Sequence, residues 1–348
     1  MSILVKARPP PLDDLEYEPS DYGKLIKPII HNNADVVYVE DQVINIIPHL
    51  EKNTIILFSS QMPVGAIKKI ENFVLKNFPK KKISFACSPE NLRLGNAIEV
   101  FLNPDRIIVG INNKSLQKKL EFFFKSITDK VNWMSIESAE MTKHAINSFL
   151  ANSVTFANEI STICEQVGAN AHQVEQGLKS DSRIGQKAYL SPGDPIAGGT
   201  LMRDVNFLAN KSREHNLSTP LISSIIPSNN EHKNWIRRKL LELFTSLSNI
   251  SITIWGLTYK PGTDSMKRSQ SVELCDWLIT EGAKISVYDP VVKKLPEHLD
   301  NKVEHYLDSI NSLENSKVLI IGTKWPEFKK MTNKIINIAK KDLIIIDP

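Results

Sequence analysis

A lysine and an asparagine four positions apart, Lys143 and Asn147, are the first residues whose types and spacing point to chemistry. On an α-helix, positions i and i+4 lie on one face with their Cβ atoms about 6 Å apart. The ammonium group and the amide could therefore meet one oxygen atom and stabilise negative charge that develops on it. A solvated lysine and a solvated asparagine would have the same spacing, so the surrounding sequence must decide between the two interpretations.

A second candidate is the turn SSQMPVG at 59–65, which follows an apolar run typical of a buried strand. In open parallel sheets, loops at the carboxyl ends of strands line the ligand crevice. Ser60 and Gln61 are therefore candidate contacts for a cofactor or a water molecule. No GxGxxG segment occurs in the sequence, so the usual turn that binds a dinucleotide pyrophosphate is not found.

Cysteine chemistry is not indicated by spacing. Cys87, Cys164 and Cys275 are far apart, form no CxxC pair and stand in apolar surroundings. We expect buried, reduced thiols in a reducing compartment, and no metal site.

Length and composition limit the classes of function. The 348 residues predict two or three domains. The formal net charge of +4 is spread along the chain, so no basic face predicts a nucleic-acid partner. No apolar run reaches the roughly 18 to 20 residues that span a bilayer, and the N-terminus does not resemble a signal peptide. The expectation is a soluble cytoplasmic protein with no membrane partner.

The elements that must position these residues alternate strand and helix in the first third of the chain, a rhythm typical of a parallel α/β sheet. Strands are predicted at Ser2–Val5, Thr54–Ser60, Ile83–Cys87 and Ile107–Gly110, and helices at Ala34–Leu50 and Val64–Phe78. Apolar runs such as TIILF predict interior strands with helices on both faces of the sheet.

One long helix is predicted from Ser138 to about Val167, with Gly168 as its stop. A shorter helical stretch follows, and then a polar loop over 181–204 that is rich in Gly and Pro, a composition typical of a functional loop. After Pro220 more helix leads into a second α/β unit, with strands predicted at Ser251–Trp255, Lys284–Tyr288, Lys317–Ile321 and Leu343–Ile346, and helices at Val272–Glu281 and after Trp325.

Five segments in order resemble the nucleotide-sugar dehydrogenase family, which includes UDP-glucose and UDP-N-acetylmannosamine dehydrogenases. They are SSQMPVG at 59–65, SPENLRLGNA at 88–97, EMTKHAINSFLANSVTFANEI at 140–160, RIGQKAYLSPGDPIAGGTLMRD at 183–204, and WGLTYKPGTDSMKRS at 255–269 followed by VYDP at 287–290. Together they cover nearly the whole chain.

The resemblance implies an α/β fold with two Rossmann-like parallel-sheet domains, joined by a long central helix and a helical dimerisation region. We expect a partial NAD-binding domain at 1–136, the central region with the substrate loop at 137–219 and a UDP-sugar-binding domain at 220–348. It also implies a homodimer, NAD as cofactor and a UDP-sugar substrate whose primary alcohol is oxidised, in the synthesis of surface polysaccharide precursors.

The resemblance also assigns candidate site residues. Lys143 and Asn147 correspond to the oxyanion pair, while Asp204 and Glu90 correspond to carboxylates that position water or move protons. The substrate loop contributes Arg183, Tyr189 and Leu190, which would contact the base or sugar, and Gly193, whose backbone amide would reach phosphate. Lys260 corresponds to a diphosphate contact, and Arg268 to a cofactor contact made across the dimer. For Glu90 a helix start at Ser88-Pro89 is a compatible alternative.

Three positions depart from the family pattern. Gln61 stands where the family usually has threonine. Thr200 stands where it has the nucleophilic cysteine, with Leu201 as the position after a one-residue shift. Neither side chain forms a thioester, so the second oxidation to a carboxylate is not expected, whereas oxidation of the alcohol to an aldehyde is chemically open.

The third departure is that no pattern for the first βαβ unit of the NAD-binding domain is found in the sequence, so we expect the domain to be incomplete. A shortened reading frame, a second chain that supplies the missing part, and a protein without the usual NAD binding all remain open. Two other classes compete with an active enzyme: a non-catalytic UDP-sugar-binding or scaffold relative, and a β-hydroxyacid dehydrogenase, against which the second α/β unit argues.

Overall fold

The computed structural model describes residues 2–5, 36–90, 97–197, 199–331 and 342–348. It divides into two compact units. The first comprises Met1–Asn147 and Asn206–His215, and the second comprises Ser148–Val205 and Asn216–Pro348.

The first unit is built on a five-stranded sheet in the order β1-β2-β3-β4-β5. The strands are β1 (Ser2–Val5), β2 (Ile55–Phe58), β3 (Ser84–Cys87), β4 (Ile107–Ile111) and β5 (Val131–Met134). The helices between them are α1 (Val36–Ile46), α2 (Ala66–Asn77), α3 (Ala97–Leu102) and α4 (Ser115–Phe124). The predicted strands and helices are confirmed with small shifts of their ends, whereas β5, α3 and α4 were not predicted.

Both faces of this sheet are covered, as the apolar strand sequences predicted. Ile56 and Phe58 of β2 pack in a cluster with α1 and α2, whereas the alternate residues Ile55 and Leu57 pack in a cluster with α4. The expectation of a wholly parallel sheet is wrong at one place, because β4 runs antiparallel to β3. Antiparallel neighbours can be connected at the same end of the two strands, without the crossover helix that parallel neighbours need.

The long helix α5 spans Ile136–Val167 and ends at Gly168, whose φ of +73° is the left-handed conformation that stops a helix. The prediction of this helix and of its stop is confirmed. It is followed by α6 (Ala171–Ser180), α7 (Thr200–Glu214), α8 (Pro220–Lys233) and α9 (Trp235–Leu243). The loop predicted over 181–204 is wrong at its end, because Thr200 already begins α7.

The second unit contains a wholly parallel sheet in the order β10-β9-β6-β7-β8. Its strands are β6 (Ser251–Trp255), β7 (Lys284–Tyr288), β8 (Glu304–Tyr306), β9 (Val318–Ile321) and β10 (Ile344–Ile346), with helices α10 (Gln270–Thr280) and α11 from 326 to at least 331. All were predicted except β8. The order reverses between β6 and β9, which is the arrangement of a Rossmann-like sheet. Among the described residues, no helix is both long and apolar enough to cross a membrane.

Candidate active site

The turn predicted from SSQMPVG follows β2 at its carboxyl end. Gly65 has a φ of +87° and stands directly before α2, a conformation that a residue with a side chain rarely adopts. Met62 is buried, whereas Ser60 and Gln61 are half-buried. The turn therefore presents two polar side chains at the edge of the sheet where ligands bind in this architecture.

Glu90 follows the next strand, β3, at the same edge. The amide of Ser88 donates to the carbonyl of Phe58 at 2.7 Å, and the amide of Glu90 donates to the carbonyl of Ser59 at 3.2 Å. These bonds bring Glu90 beside the segment that carries Ser60. The alternative role of Glu90 as a helix start falls on residues 91–96, which lie outside the described residues.

Lys143 and Asn147 both lie on α5, so the predicted helical spacing is confirmed. Asn147 is buried and Lys143 is half-buried. The solvated interpretation of the pair is therefore wrong for Asn147. Between positions 140 and 147 two other polar residues are buried, and neither was singled out from the sequence: Glu140 is 1% exposed and His144 is 4% exposed.

Glu140 binds the start of helix α2. Its carboxylate accepts hydrogen bonds from the amides of Gly65 at 2.7 Å and Ile67 at 3.2 Å. Burial raises the pKa of the Glu140 carboxyl to about 7, although these two hydrogen bonds act in the opposite direction.

His144 binds the turn itself. Its Nδ1 lies 3.2 Å from Nε2 of Gln61, and its Nε2 lies 3.2 Å from the carbonyl oxygen of Met62. The imidazole ring also stacks on Phe207, with 4.0 Å between ring centroids. The structure thus joins Gln61 to the helix that carries Lys143 and Asn147. The spacing of positions 140, 144 and 147 puts polar residues on one helix face. This pattern could have identified Glu140 and His144 from the sequence.

The three cysteines are buried free thiols, as predicted. Burial, together with the nearby charge of Glu140, raises the pKa of Cys87 far above its ordinary value, and burial raises that of Cys275 to about 12. Neither thiol is a nucleophile at neutral pH, because the thiolate is the reactive form. Among the described residues, no group of three or more His, Cys, Asp or Glu side chains could hold a metal ion.

In the second unit, three polar side chains bind the backbone of the loop between α6 and α7, which is the predicted substrate loop. Asn158 of α5 accepts from the amide of Gly193 at 2.9 Å, and His232 of α8 lies 2.7 Å from the carbonyl oxygen of the same glycine. Asn229, also of α8, bonds both the amide of Ile196 at 2.7 Å and its carbonyl at 3.3 Å. Sequence reasoning did not identify these three residues.

The amide of Gly193 donates to Asn158, so a phosphate would have to compete with this side chain for the amide. The part that Gly193 plays in substrate binding stays a prediction. The Nζ of Lys324 lies 2.6 Å from where a Cβ on Gly193 would stand. A side chain at position 193 would therefore displace a lysine from the loop.

The other predicted substrate residues of this loop are at its surface. Arg183 donates to Asp181 from Nε at 3.0 Å and from Nη2 at 2.7 Å, and the guanidinium lowers the pKa of this exposed carboxyl. Tyr189 is 62% exposed and so is accessible to a ligand. Leu190 is half-buried and lines a small crevice with residues of α5 and α6, and its contact with the base or sugar stays a prediction.

Thr200, Asp204 and Arg268 are near the end of this loop. Thr200 is the first residue of α7 and is exposed, whereas Leu201 packs in an apolar cluster with Ile196 and Val205. Asp204 is fully buried on the same helix, with its Oδ1 3.9 Å from Nε of Arg203.

Arg268 has a φ of +57°, an uncommon conformation for a residue with a side chain. Its Nη1 lies 2.6 Å from where a Cβ on Gly199 would stand. The loop after β6 therefore brings Arg268 beside Thr200.

Lys260, in the same loop, is positioned through the buried residue Asp289. One oxygen of Asp289 accepts from the amide of Leu257 at 2.7 Å, the amide of Thr258 at 3.3 Å and the indole of Trp325 at 3.2 Å. The hydroxyl of Thr258 donates to the carbonyl of Lys260 at 3.1 Å. Asp289 thus connects the loops that follow β6, β7 and β9.

A cavity of about 230 Å³ also lies in the second unit, beside the start of α10. It is lined by residues that include Asp194, His232, Trp235, Ser271 and Gly322. None of the predicted site residues is among those that line it, so it gives no support to their assignment.

Comparison with known proteins gives matches to three family models that follow one another along the chain. They are the NAD binding domain of the UDP-glucose/GDP-mannose dehydrogenase family over residues 27–128, its central domain over 137–231 and its UDP binding domain over 253–348.

Individual proteins agree with these matches. A UDP-glucose 6-dehydrogenase of Rickettsia prowazekii is 31% identical over 321 residues, which cover 90% of this chain and 73% of that protein. The UDP-glucose 6-dehydrogenase TuaD of Bacillus subtilis is 32% identical, over 90% of this chain and 68% of that protein. The fold matches the structure of a UDP-glucose dehydrogenase from Pyrobaculum islandicum, with a TM-score of 0.80 and 24% identity, covering 92% of this chain and 74% of that one. On its sequence, its three domain matches and its fold, the chain belongs to the UDP-glucose/GDP-mannose dehydrogenase family.

Proposed function

We propose that this chain oxidises the primary alcohol of a UDP-sugar of the UDP-glucose or UDP-N-acetylhexosamine type, and that NAD accepts the hydride. The UDP-glucose 6-dehydrogenases among its relatives and the matches to NAD-binding and UDP-binding domains support this activity. The observation that carries it is the buried face of α5, where Lys143 and Asn147 stand on a helix held against the turn that contains Gln61.

The proposed reaction converts the alcohol to an aldehyde. The C–H bond at the alcohol carbon breaks as a hydride leaves for NAD, and the hydroxyl proton passes to a base. Lys143 and Asn147 stabilise the negative charge on that oxygen, since a cation and an amide donor on one helix face can meet the same atom. Glu90 and Asp204 are the proposed carboxylates for proton transfer and for positioning water.

The residues at the carboxyl ends of β2 and β3 fit a nicotinamide cofactor. Ser60 and Gln61 offer a hydroxyl and an amide in the turn after β2, and Glu90 lies beside them after β3. Such groups can bond ribose hydroxyls and a carboxamide. We propose that Ser60 and Gln61 hold NAD, which supplies the hydride acceptor when bound, while Glu90 keeps its proposed catalytic role beside them.

The UDP-sugar is proposed to bind the loop between α6 and α7 and the loop after β6. Tyr189 is exposed there, and Arg183, Leu190, Gly193 and Lys260 are the further proposed contacts. Arg268, whose side chain lies beside Gly199, is proposed to contact the cofactor across the dimer. Its guanidinium suits an anionic group because its planar fork can make two parallel hydrogen bonds. The domain boundaries at 136/137 and 219/220 are part of this proposal.

Thr200 is proposed to stand at the position of the family's nucleophilic cysteine. Its exposed side chain supports this assignment over Leu201, which packs in a core. A hydroxyl forms no thioester, so the proposed product is the aldehyde and one NADH per sugar.

A homodimer about α5 is proposed as well. Phe149, Phe156 and Ile163 are 70%, 44% and 56% exposed and are spaced seven residues apart on this helix. Apolar side chains at that spacing form a stripe along one face, which is typical of a helix that packs on a partner. The buried free thiols fit a reducing compartment, and we propose the cytoplasm.

Isothermal titration calorimetry with the purified chain tests both binding assignments. UDP-glucose and NAD are titrated separately, and the proposal predicts heat of binding from each. Binding of UDP-glucose with no binding of NAD would contradict the dehydrogenase proposal and would instead indicate a UDP-sugar-binding protein. Binding of neither would contradict both.

A further inference from the structure

We propose that Glu140 and His144 are positioning residues of the cofactor site, which hold the turn Gln61–Gly65 in place against the helix that carries Lys143 and Asn147. This inference rests on the proposed function, because the position of the turn affects the cofactor site only if the turn contacts NAD. Neither residue is needed to touch the substrate or the cofactor.

The start of helix α2 has no side-chain cap of its own. The first amides of a helix have no partner within it, and a side chain at the N-cap usually supplies one. Here the N-cap is Gly65, which has no side chain. Glu140 supplies the missing acceptor from α5, with bonds of 2.7 Å from Gly65 and 3.2 Å from Ile67. When the carboxyl is ionised, its charge is also favourable at the positive end of the helix dipole. The cap is therefore a connection between two helices.

The imidazole of His144 lies at the opposite end of the turn, beside Gln61 and Met62. A carbonyl oxygen only accepts, so the 3.2 Å contact with Met62 requires a hydrogen on Nε2. In the neutral ring, Nδ1 is then an acceptor, and it faces the amide group of Gln61 at 3.2 Å. Both ring nitrogens contact the turn, while stacking on Phe207 fixes the plane of the ring. His144 thereby fixes two consecutive residues of the turn.

The residues that hold the turn and the proposed oxyanion pair lie close together along α5. Lys143 and His144 are neighbours, and Glu140 and Asn147 are one turn away on either side. The residues that hold the turn and the residues proposed to stabilise the oxyanion therefore share one rigid stretch of helix. A small shift of the turn would change the position of Gln61 relative to Lys143, and hydride transfer is sensitive to such displacements.

The test uses Glu140→Ala, which removes the acceptor of two amides, and His144→Phe, which keeps the aromatic stack but removes both ring nitrogens. Glu137→Gln, one helical turn from Glu140, is the matched control. Three quantities are measured for each protein: hydrogen exchange of the amides in 59–70, affinity for NADH and affinity for UDP. Exchange needs no ligand, and the UDP affinity reports on the second unit.

We expect exchange in 59–70 to be about tenfold faster in Glu140→Ala and His144→Phe than in the wild-type chain, with NADH affinity about tenfold lower and UDP affinity unchanged. Glu137→Gln should match the wild type. Unchanged exchange would overturn the inference, and so would faster exchange with unchanged NADH affinity. A wild-type chain that binds UDP but not NADH would instead overturn the NAD assignment, and this positioning role with it. Loss of both affinities together would indicate general unfolding and contradict a local role.

Discussion

Thr200 and Leu201 are adjacent in sequence but differ in surroundings, and the difference decides what each side chain can do. Leu201 packs beside Ile196 and Val205, whereas Thr200 is exposed at the first position of α7. A thiol at a helix N-terminus has a lowered pKa and is a better nucleophile at neutral pH. Position 200 is therefore suited to a catalytic cysteine even though it carries a hydroxyl.

Replacing Thr200 with cysteine should extend the reaction by one oxidation. The thiol would add to the aldehyde, a second hydride transfer would give a thioester, and water would release the carboxylate and the thiol. We expect one NADH per UDP-sugar from the unchanged chain and two from Thr200→Cys, counted by absorbance at 340 nm. Leu201→Cys is the control and should leave the ratio at one. A ratio of two from Leu201→Cys alone would show that the assignment is off by one residue.

Glu140 should make the stability of the first unit depend on pH. Its pKa is raised from an ordinary value of 4.5 to about 7 by burial. A carboxyl whose pKa is raised by folding favours the folded state below pH 4.5, and this contribution is lost as pH rises to about 7. The loss should reach about 3 kcal/mol at most, because one pKa unit corresponds to about 1.4 kcal/mol. The free energy of unfolding in urea is measured for the wild type and Glu140→Gln between pH 4.5 and 8. The loss appears as a steeper fall of this free energy with pH in the wild type, and equal pH dependence of the two proteins would contradict it.

At the scale of elements, sequence patterns were sufficient to predict strands that consist of apolar residues buried on both faces of a sheet. Strand Ser251–Trp255, buried at its last four residues, was predicted with its exact bounds for this reason. Lys284–Tyr288 was also predicted with its exact bounds, although only Ile285 and Val287 of this strand are buried. Val131–Met134 and Glu304–Tyr306 were missed because short runs such as VNWM and EHY have no apolar periodicity. The antiparallel pairing of β4 with β3 was missed because strand direction depends on the path of the connection.

In the site as well, some features follow from local sequence, whereas others depend on contacts between elements that are distant in sequence. The shared helix face of Lys143 and Asn147 follows from spacing alone. The role of Glu140 depends on contact with a helix that begins 74 residues earlier, at Ala66, and the use of the Gly193 amide depends on Asn158. No local pattern encodes these partners, because they meet only when separate elements pack.

Helix α6 should restrain the substrate loop through Glu175. This carboxylate accepts from Lys179 and from the hydroxyl of Ser191, each at 2.5 Å, and the two bonds lower its pKa to about 2. Because folding lowers the pKa of Glu175, its contribution to stability is present above the unfolded pKa near 4.5 and is lost as pH falls through about 2. At neutral pH the restraint is therefore complete.

Glu175→Gln should release this restraint and increase tryptic cleavage after Lys187 at pH 7.5 by about fivefold, as expected for loss of roughly 1 kcal/mol. Cleavage is followed by mass spectrometry. Glu242→Gln, which removes a carboxylate that pairs with Lys239 on α9, is the control and should not change the rate. A rate unchanged by Glu175→Gln would show that other contacts hold the loop.

At the scale of the whole molecule, the exposed stripe on α5 predicts assembly. Phe156→Asp puts a charge in the middle of the stripe and should raise the dimer dissociation constant at least about tenfold, because an unpaired charge is costly in an apolar interface. Sedimentation velocity over a range of concentrations measures it. Phe122→Asp, at an equally apolar residue that is 84% exposed on α4, is the matched control. A wild-type chain that sediments as a monomer at all concentrations would contradict the proposed dimer.

Formation of NADH from NAD in the presence of a UDP-sugar tests the proposed function most directly. The purified chain is supplied with NAD and with UDP-glucose or UDP-N-acetylmannosamine, and absorbance at 340 nm is followed until it stops changing. We expect a rise with at least one of the two sugars that ends at one NADH per sugar and is abolished in Lys143→Ala. No rise with either sugar, from protein that binds UDP in the calorimeter, would contradict it.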